Sequence, residues 1–333
     1  MNHIQTSLKR RNLVQLAAWS SFVHAPVFSQ GNTFPNKPIR LVVGFAAGGA
    51  ADAVARVLAT KVKDKLGQAV VVDNRPGVGG MLAAEHVAKS VPDGYTLMLA
   101  DDGQLSISQG LSEVREKEAD SLFEPILGVT GQPIVLVVNS SVPASNLKEL
   151  IALLRSKPGQ LNFASAGSGN ISHMAGELFK YLSKTFMLHI PYRGGAPGVL
   201  SVISGETQMM FPSVATAVPH VKSGKLRAIA IVGERRSELL PDVPTAIEAG
   251  LQNMRADSWH GVVAPKGLTP LTAKTLNDAF TWVLNDSDVI NRLKALGLEV
   301  KLRNTGEFSQ LIKSDAQKWR NLLLNAKLKI VTG

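Results

Sequence analysis

Leu41-Val42-Val43-Gly44-Phe45-Ala46-Ala47-Gly48-Gly49-Ala50-Ala51-Asp52 passes from an apolar, β-branched run through closely spaced glycines into a helical pattern. Strand, glycine turn and helix in that order make the junction of an α/β fold rather than a hairpin. At such a junction unpaired backbone N–H groups and the positive end of a helix dipole face whatever lies above the strand end. The same order recurs at Val70–Ala84, Leu161–Gly176 and Leu188–Leu200. Converging junctions of this kind form an anion pocket made mostly of main chain, so the chain reads as a receptor for an anionic small molecule.

Working outward, apolar spacing predicts strand Ile39–Phe45, helix Ala50–Leu66, strand Val70–Asp73, helix Gly80–Ser90 and strand Thr96–Ala100. This alternation implies α/β layering around a mainly parallel sheet. Asp101–Phe123 is irregular, and its charged run Glu113–Asp120 reads as a solvated loop or helix face. A second unit follows, with helices Leu147–Ser156, Ser172–Ser183, Pro197–Ile203 and Val214–Ser223. Its strands are Leu161–Ala164, Leu188–Tyr192 and Gln208–Phe211, and Leu226–Val232 reads as a crossing strand. The chain then returns through strand Trp259–Ala264 and helices Pro270–Leu284, Val289–Leu296 and Asn304 to about Ala326. The expected organisation is two lobes: 34–135 with 233–333 as a discontinuous first lobe, and 136–232 as the second. Small ligands bind in clefts between such lobes.

The first residues read as a targeting segment. Lys9, Arg10 and Arg11 precede a short apolar stretch from Leu13 to Val23, and Val27-Phe28-Ser29 suits a cut before Gln30. The stretch is too short to span a bilayer, and the Arg10-Arg11 pair leaves both general and twin-arginine export open. Loss of residues 1–29 lowers the formal charge from +10 to +7, a field that favours encounter with anionic solutes. Cysteine is absent, which excludes disulfides and thiol chemistry. Lys and Arg are scattered and no aromatic–basic stripe is present, which argues against nucleic-acid binding.

The glycine loops fail the enzyme motifs they superficially suggest. Gly44–Asp52 lacks the G-x-G-x-x-G spacing of a dinucleotide fingerprint, and Ala50-Ala51 stand where a P-loop needs Lys and Ser/Thr. Asp52, just inside a helix start, reads first as an anchor of its loop and second as a ligand contact. In Ser165–His173, Ser165, Ser168 and Asn170 offer side-chain donors while Gly167 and Gly169 expose amides. Ser168 is flanked directly by glycines, which is not a nucleophile elbow. His173 reads as a structural hydrogen-bonder before a base, and no zinc-like histidine spacing occurs. Tyr192-Arg193-Gly194-Gly195-Ala196-Pro197 repeats the strand-to-helix turn, with Tyr192 either covering a ligand or closing a strand end. Asn74–Gly80 reads as a structural turn. No cofactor or metal is implied. The alternative to a receptor is a cleft hydrolase using Ser165 or Ser168.

These loops, together with further motifs, resemble the Bug family, the extracytoplasmic solute receptors of tripartite tricarboxylate transporters. The resemblance is carried by Phe34–Arg40, the Ala46–Asp52 loop, Val72–Gly77, Pro92–Leu97, Leu161–Ser165, Pro191–Pro197, Gly224–Ala228 and Leu240–Thr245. It implies a periplasmic, two-lobed Venus-flytrap of the type II binding-protein class that is monomeric and not an enzyme. The implied partners are a small carboxylate and a two-component membrane permease, or, for an orphan receptor, a membrane kinase. It also implies that Phe45, Ala46, Ala47 and Gly48 face Ser165, Gly167, Ser168 and Asn170 around the carboxylate. Tyr192, Gly194, Gly195 and Ala196 complete the grip, with Asp52, Asp102, His173 and Ser213 as further site residues. Two departures stand out. Ala50-Ala51 replace hydroxyl residues, and Pro212-Ser213 replace an Asp after Met210-Phe211, which weakens an amino-acid ligand. Asp101 and Asp102 add negative charge near the expected cleft and disfavour a polyanion.

Overall fold

Ile39–Val43 is largely β-branched and apolar, and in the computed structural model, which describes residues 34–108 and 122–325, it forms β1, an inner strand of a six-stranded sheet. The Gly44–Gly49 turn leads into α1 (Ala50–Leu66), which buries Val54, Leu58 and Val62 and ends on Gly67 in the left-handed conformation. β2 (Val70–Asn74), α2 (Met81–Ala88) and β3 (Thr96–Asp101) repeat the unit, and β2 and β3 flank β1 in parallel. β4 (Phe123–Gln132) runs straight into β5 (Ile134–Asn139) with only Pro133 between them. β4 belongs to the first sheet and β5 to the second.

The second sheet repeats the plan. α3 (Leu147–Ser156) starts at Asn146, which accepts from the Glu149 N–H at 3.0 Å, while the Glu149 carboxylate accepts from the Ser145 N–H at 2.7 Å. Then come β6 (Asn162–Ser165), α4 (Ile171–Ser183), β7 (Leu188–Pro191), α5 (Gly195–Ser204), β8 (Met209–Met210), α6 (Val214–Lys222) and β9 (Leu226–Val232). β10 (Ser258–Pro265) rejoins the first sheet, followed by α7 (Pro270–Leu284), α8 (Ser287–Ala295), β11 (Glu299–Arg303) and α9 (Thr305–Asn325). The strand orders are β11-β4-β10-β3-β1-β2 and β7-β6-β8-β5-β9. Each sheet, coated by helices, is one lobe of a two-lobed binding-protein fold.

Three expectations need correction. The sheets are mixed rather than mainly parallel: β10 runs antiparallel to β3 and β4, β11 antiparallel to β4, and β5 antiparallel to β8 and β9. Leu226–Val232 is not a crossing strand: it pairs along β5, and the return runs through 233–257. The final helix also serves both lobes. Phe308 and Ile312 pack in the first-sheet core, whereas Trp319 and Leu323 join the core containing Leu150, Phe163 and Phe179. The expected leader and the Glu113–Asp120 run lie outside the described residues. No described helix is long and apolar enough to cross a membrane.

Candidate functional site

Asp52, the third residue of α1 and almost fully buried, organises the first glycine loop. Its Oδ2 accepts from the Gly48 N–H at 3.0 Å and from Arg56 Nε at 2.9 Å, and its Oδ1 accepts from Asn74 Nδ2 at 3.0 Å. Asn74 Nδ2 also donates to the Phe45 carbonyl at 3.0 Å. Burial opposes the charge, but the Arg56, Gly48 and Asn74 hydrogen bonds together hold this carboxyl below its ordinary range. Asp52 therefore anchors the loop from behind, its first-choice reading in the sequence.

Four helices begin around one cleft between the sheets, which is lined by Gly49, Ala50 and Ala51 of α1, Asn170 and Ser172 of α4, Gly195 of α5, and Ser213 and Thr216 of α6. Two of these starts are closed by side chains. Asn170 Oδ1 accepts from the Ser172 N–H at 3.0 Å, and Ser213 Oγ accepts from the Thr216 N–H at 3.3 Å. α1 and α5 begin instead at Gly49 and Gly194, and neither has a side-chain cap. Their leading amides have no hydrogen-bond partner, and no Lys or Arg lines the cleft, among the described residues. Uncapped N-termini of opposite lobes thus point into one space, an arrangement suited to an anion.

The lobes touch around this cleft. The Ala46 N–H donates to the Arg193 carbonyl at 3.1 Å, and Asn170 Nδ2 donates to Asp101 Oδ2 at 3.2 Å. The Asn74–Gly80 turn, expected to be mainly structural, abuts Ser168 at this contact.

The remaining expected residues divide by what already occupies them. Phe45, Asn170, Gly195 and Ser213 line the cleft; Ala47, Gly48, Gly194 and Ala196 belong to the loops that frame it. The loop before α4 does not present its amides as expected. The Ala166, Gly167 and Gly169 N–H groups donate to Ser172 Oγ, Ser165 Oγ and His173 Nδ1 at 2.8, 3.1 and 3.1 Å. Ser165 is fully buried, with His189 Nε2 2.5 Å from its hydroxyl. A nucleophile in that position has no route to a substrate. His173 stacks on His189 at 3.7 Å between centroids, and burial pushes the two imidazoles down to about 3 and about 4, so both are neutral. Tyr192 packs its ring on the second-sheet core with its hydroxyl beside Ser201 and Glu206. Asp102 turns away from the cleft and accepts from Ser258 Oγ at 2.7 Å. Consecutive residues at a strand end point to opposite faces, so its neighbour Asp101 lines the cleft instead.

Asp101, expected near the cleft, lines it, and so do Gln132, Thr216 and His260, which reading the sequence missed. Burial pushes the Asp101 carboxyl up to about 7 against the opposing effect of the Gln104 and Gly103 N–H groups and Asn170. Burial also lowers the His260 imidazole to about 4, and its Nδ1 lies 2.9 Å from Thr130 Oγ1.

A family model described as tripartite tricarboxylate transporter family receptor matches residues 54–328. Protein BugT of Bordetella pertussis is 34% identical over 312 residues, covering 92% of this chain and 94% of BugT. Among solved structures, the periplasmic binding protein BugD is similar at a TM-score of 0.84 and 32% identity, over 88% of this chain and 99% of BugD. MatC from Rhodopseudomonas palustris, solved with bound malate, has a TM-score of 0.84 and 32% identity over 87% of this chain and 100% of MatC.

Proposed function

The chain belongs to the tripartite tricarboxylate transporter receptor family, and we propose that it captures a small carboxylate in the interlobe cleft and delivers it to a two-component membrane permease. Membership places it among solute-binding proteins rather than enzymes. In this reading residues 1–29 direct export to the periplasm and are removed, and the mature monomer binds its ligand between lobe 34–135 plus 233–333 and lobe 136–232.

The observation that carries the reading is the pair of uncapped helix starts. Gly49–Ala51 of α1 and Gly195–Ala196 of α5 offer backbone N–H donors from opposite lobes, whereas α4 and α6 are closed by Asn170 and Ser213. Three or four charge-assisted hydrogen bonds contribute roughly 1.5–3 kcal/mol each before binding costs. A micromolar receptor needs about −8 kcal/mol net. Peptide donors also leave no unpaired ion in the empty cleft, a cost that a buried Arg or Lys would bring. The bound malate of MatC supports an acid as the ligand class.

A thermal-shift screen of mono-, di- and tricarboxylates against their amides tests the proposal, since a ligand that binds the folded state raises the melting temperature by mass action. Acids should stabilise and their amides should not. Amides that match or exceed their parent acids throughout would remove the carboxylate from the model.

A further inference from the structure

The cleft is not uniformly a donor site. The first sheet and its exit contribute acceptors: the Asp101 carboxylate, the Gln132 side-chain carbonyl and the neutral His260 imidazole. The Gln132 amide is oriented by a relay. Its Nε2 donates to Ser258 Oγ at 3.1 Å, and the Ser258 hydroxyl donates to Asp102 Oδ1 at 2.7 Å. Gln132 Oε1, on a residue 7% exposed that lines the cleft, has no hydrogen-bond partner among the described residues. Buried carbonyl oxygens without partners are rare, and each requires an explanation.

We propose that Asp101 and Gln132 Oε1 form a second subsite, which receives the ammonium group of an amino carboxylate whose acid group lies at the starts of α1 and α5. The proposal rests on the carboxylate reading above and specifies its ligand. A zwitterion matches a cleft with N–H donors and positive dipole ends on one side, and acceptors with a carboxylate on the other. A plain dicarboxylate would instead set a second anion beside Asp101, and no Lys or Arg among the lining residues offsets that repulsion. Asp101 has three hydrogen-bond donors around it, from the Gly103 and Gln104 N–H groups and Asn170, yet no cation among the described residues. A ligand ammonium supplies that missing countercharge. Asp102, buried behind it, is pushed well up by burial and by the neighbouring Asp101 and Asp315, so it serves the relay and not the ligand.

Calorimetric titration of the purified chain with matched probes tests this. The series are alanine, lactate and propanoate; glutamate, 2-hydroxyglutarate and glutarate; and phenylalanine, phenyllactate and phenylpropanoate. In at least one series the amino acid should bind tenfold or more tightly than both the hydroxy and the unsubstituted acid, about 1.4 kcal/mol. Asp101→Asn should weaken that amino acid at least tenfold without weakening the unsubstituted acid, glutarate gaining affinity as the repulsion is lost, and Gln132→Leu should weaken the amino acid in smaller measure. The unsubstituted acid is an internal control for folding and closure in both variants. An amino acid no tighter than its hydroxy or plain analogue in every series overturns the subsite, as does an Asp101→Asn variant with unchanged selectivity. Strong binding of adipate or malate, with no response to any amino acid, also overturns it while leaving the carboxylate receptor standing.

Discussion

Gly79 and Gly167, from opposite lobes, approach so closely that a Cβ on Gly167 would lie 2.7 Å from the Cα of Gly79. Both have positive φ, +62° and +133°, and a Cβ on Gly79 would meet the Ser168 carbonyl oxygen at 2.4 Å. Absence of two side chains therefore permits the lobe contact. Gly79→Ala and Gly167→Ala should each hold the lobes apart, weakening ligand binding by about tenfold or more, roughly 1.4 kcal/mol. Small-angle scattering should show that ligand no longer compacts the variant to the wild-type dimension. Wild-type affinity and compaction in both variants would show that closure does not use this contact.

Asp52 holds Gly48, Arg56 and Asn74 at once, so its loss should loosen the α1 loop rather than remove a ligand contact. Asp52→Ala should cost about 1–3 kcal/mol of stability, as expected for buried donors left unpaired, and should weaken every ligand by a similar factor. Because its carboxyl is lowered in the folded state, its contribution is complete above its ordinary value and is lost as pH falls through the folded one. Urea unfolding of the variant and parent at pH 7 and pH 3 should therefore give curves that differ more at pH 7. A ligand-selective effect at unchanged stability would instead make Asp52 a direct contact.

The α/β class and the glycine loops are legible in the sequence because both are local patterns. Helices α1, α3 and α7 match their expected spans, since apolar spacing and cap residues lie within a few positions of each other. β4 escapes notice because Pro125, Gly128 and Gly131 interrupt its alternation, although its residues pair along β10. The site is only partly legible for a different reason. Which amides point at a ligand depends on which side chains have already taken them, and Ser165, Ser172 and His173 take those expected of the α4 loop. Gln132 and His260 enter the cleft from β4 and β10, far apart in sequence, with no local motif to mark them. The choice between Asp101 and Asp102 turns on the strand-end register, a one-residue matter that periodicity does not resolve.

His173 and His189 stack as neutral rings, so acid should destabilise the fold through them. Their folded values of about 3 and about 4 lie below the ordinary 6.5. The unfolded chain thus binds more protons, and the stability present above pH 6.5 is lost progressively as pH falls from 6.5 towards the folded values. Linkage puts this at up to about 2 kcal/mol per ring at pH 5. Asp101, raised to about 7, works in the opposite direction, gaining stability as pH falls, so the parent profile is shallower than the histidines alone dictate. His189→Gln keeps an acceptor for Ser165 and removes one titrating ring. Urea melts at pH 7 and pH 5 should show a smaller pH loss in this variant than in the parent. An identical loss would place the acid sensitivity elsewhere.

The sharpest test of main-chain recognition deletes one N–H and leaves every side-chain hydrogen bond in place. Ala50 is the first residue of α1, where the backbone N–H has no helical partner, so proline is tolerated there and removes the donor. The preceding Gly49, at φ −85° and ψ 175°, already has the extended conformation that a following proline demands. Ala50→Pro should therefore keep α1 and the melting temperature close to the parent's while lowering carboxylate affinity about 10–100-fold, the loss of one charge-assisted hydrogen bond. Ala50→Gly, which keeps the amide, should bind within a few-fold of the parent and so separates donor loss from altered side-chain bulk. If Ala50→Pro binds like the parent, the anion is not held at the start of α1, and the donors must come from α5 and the side chains of the cleft.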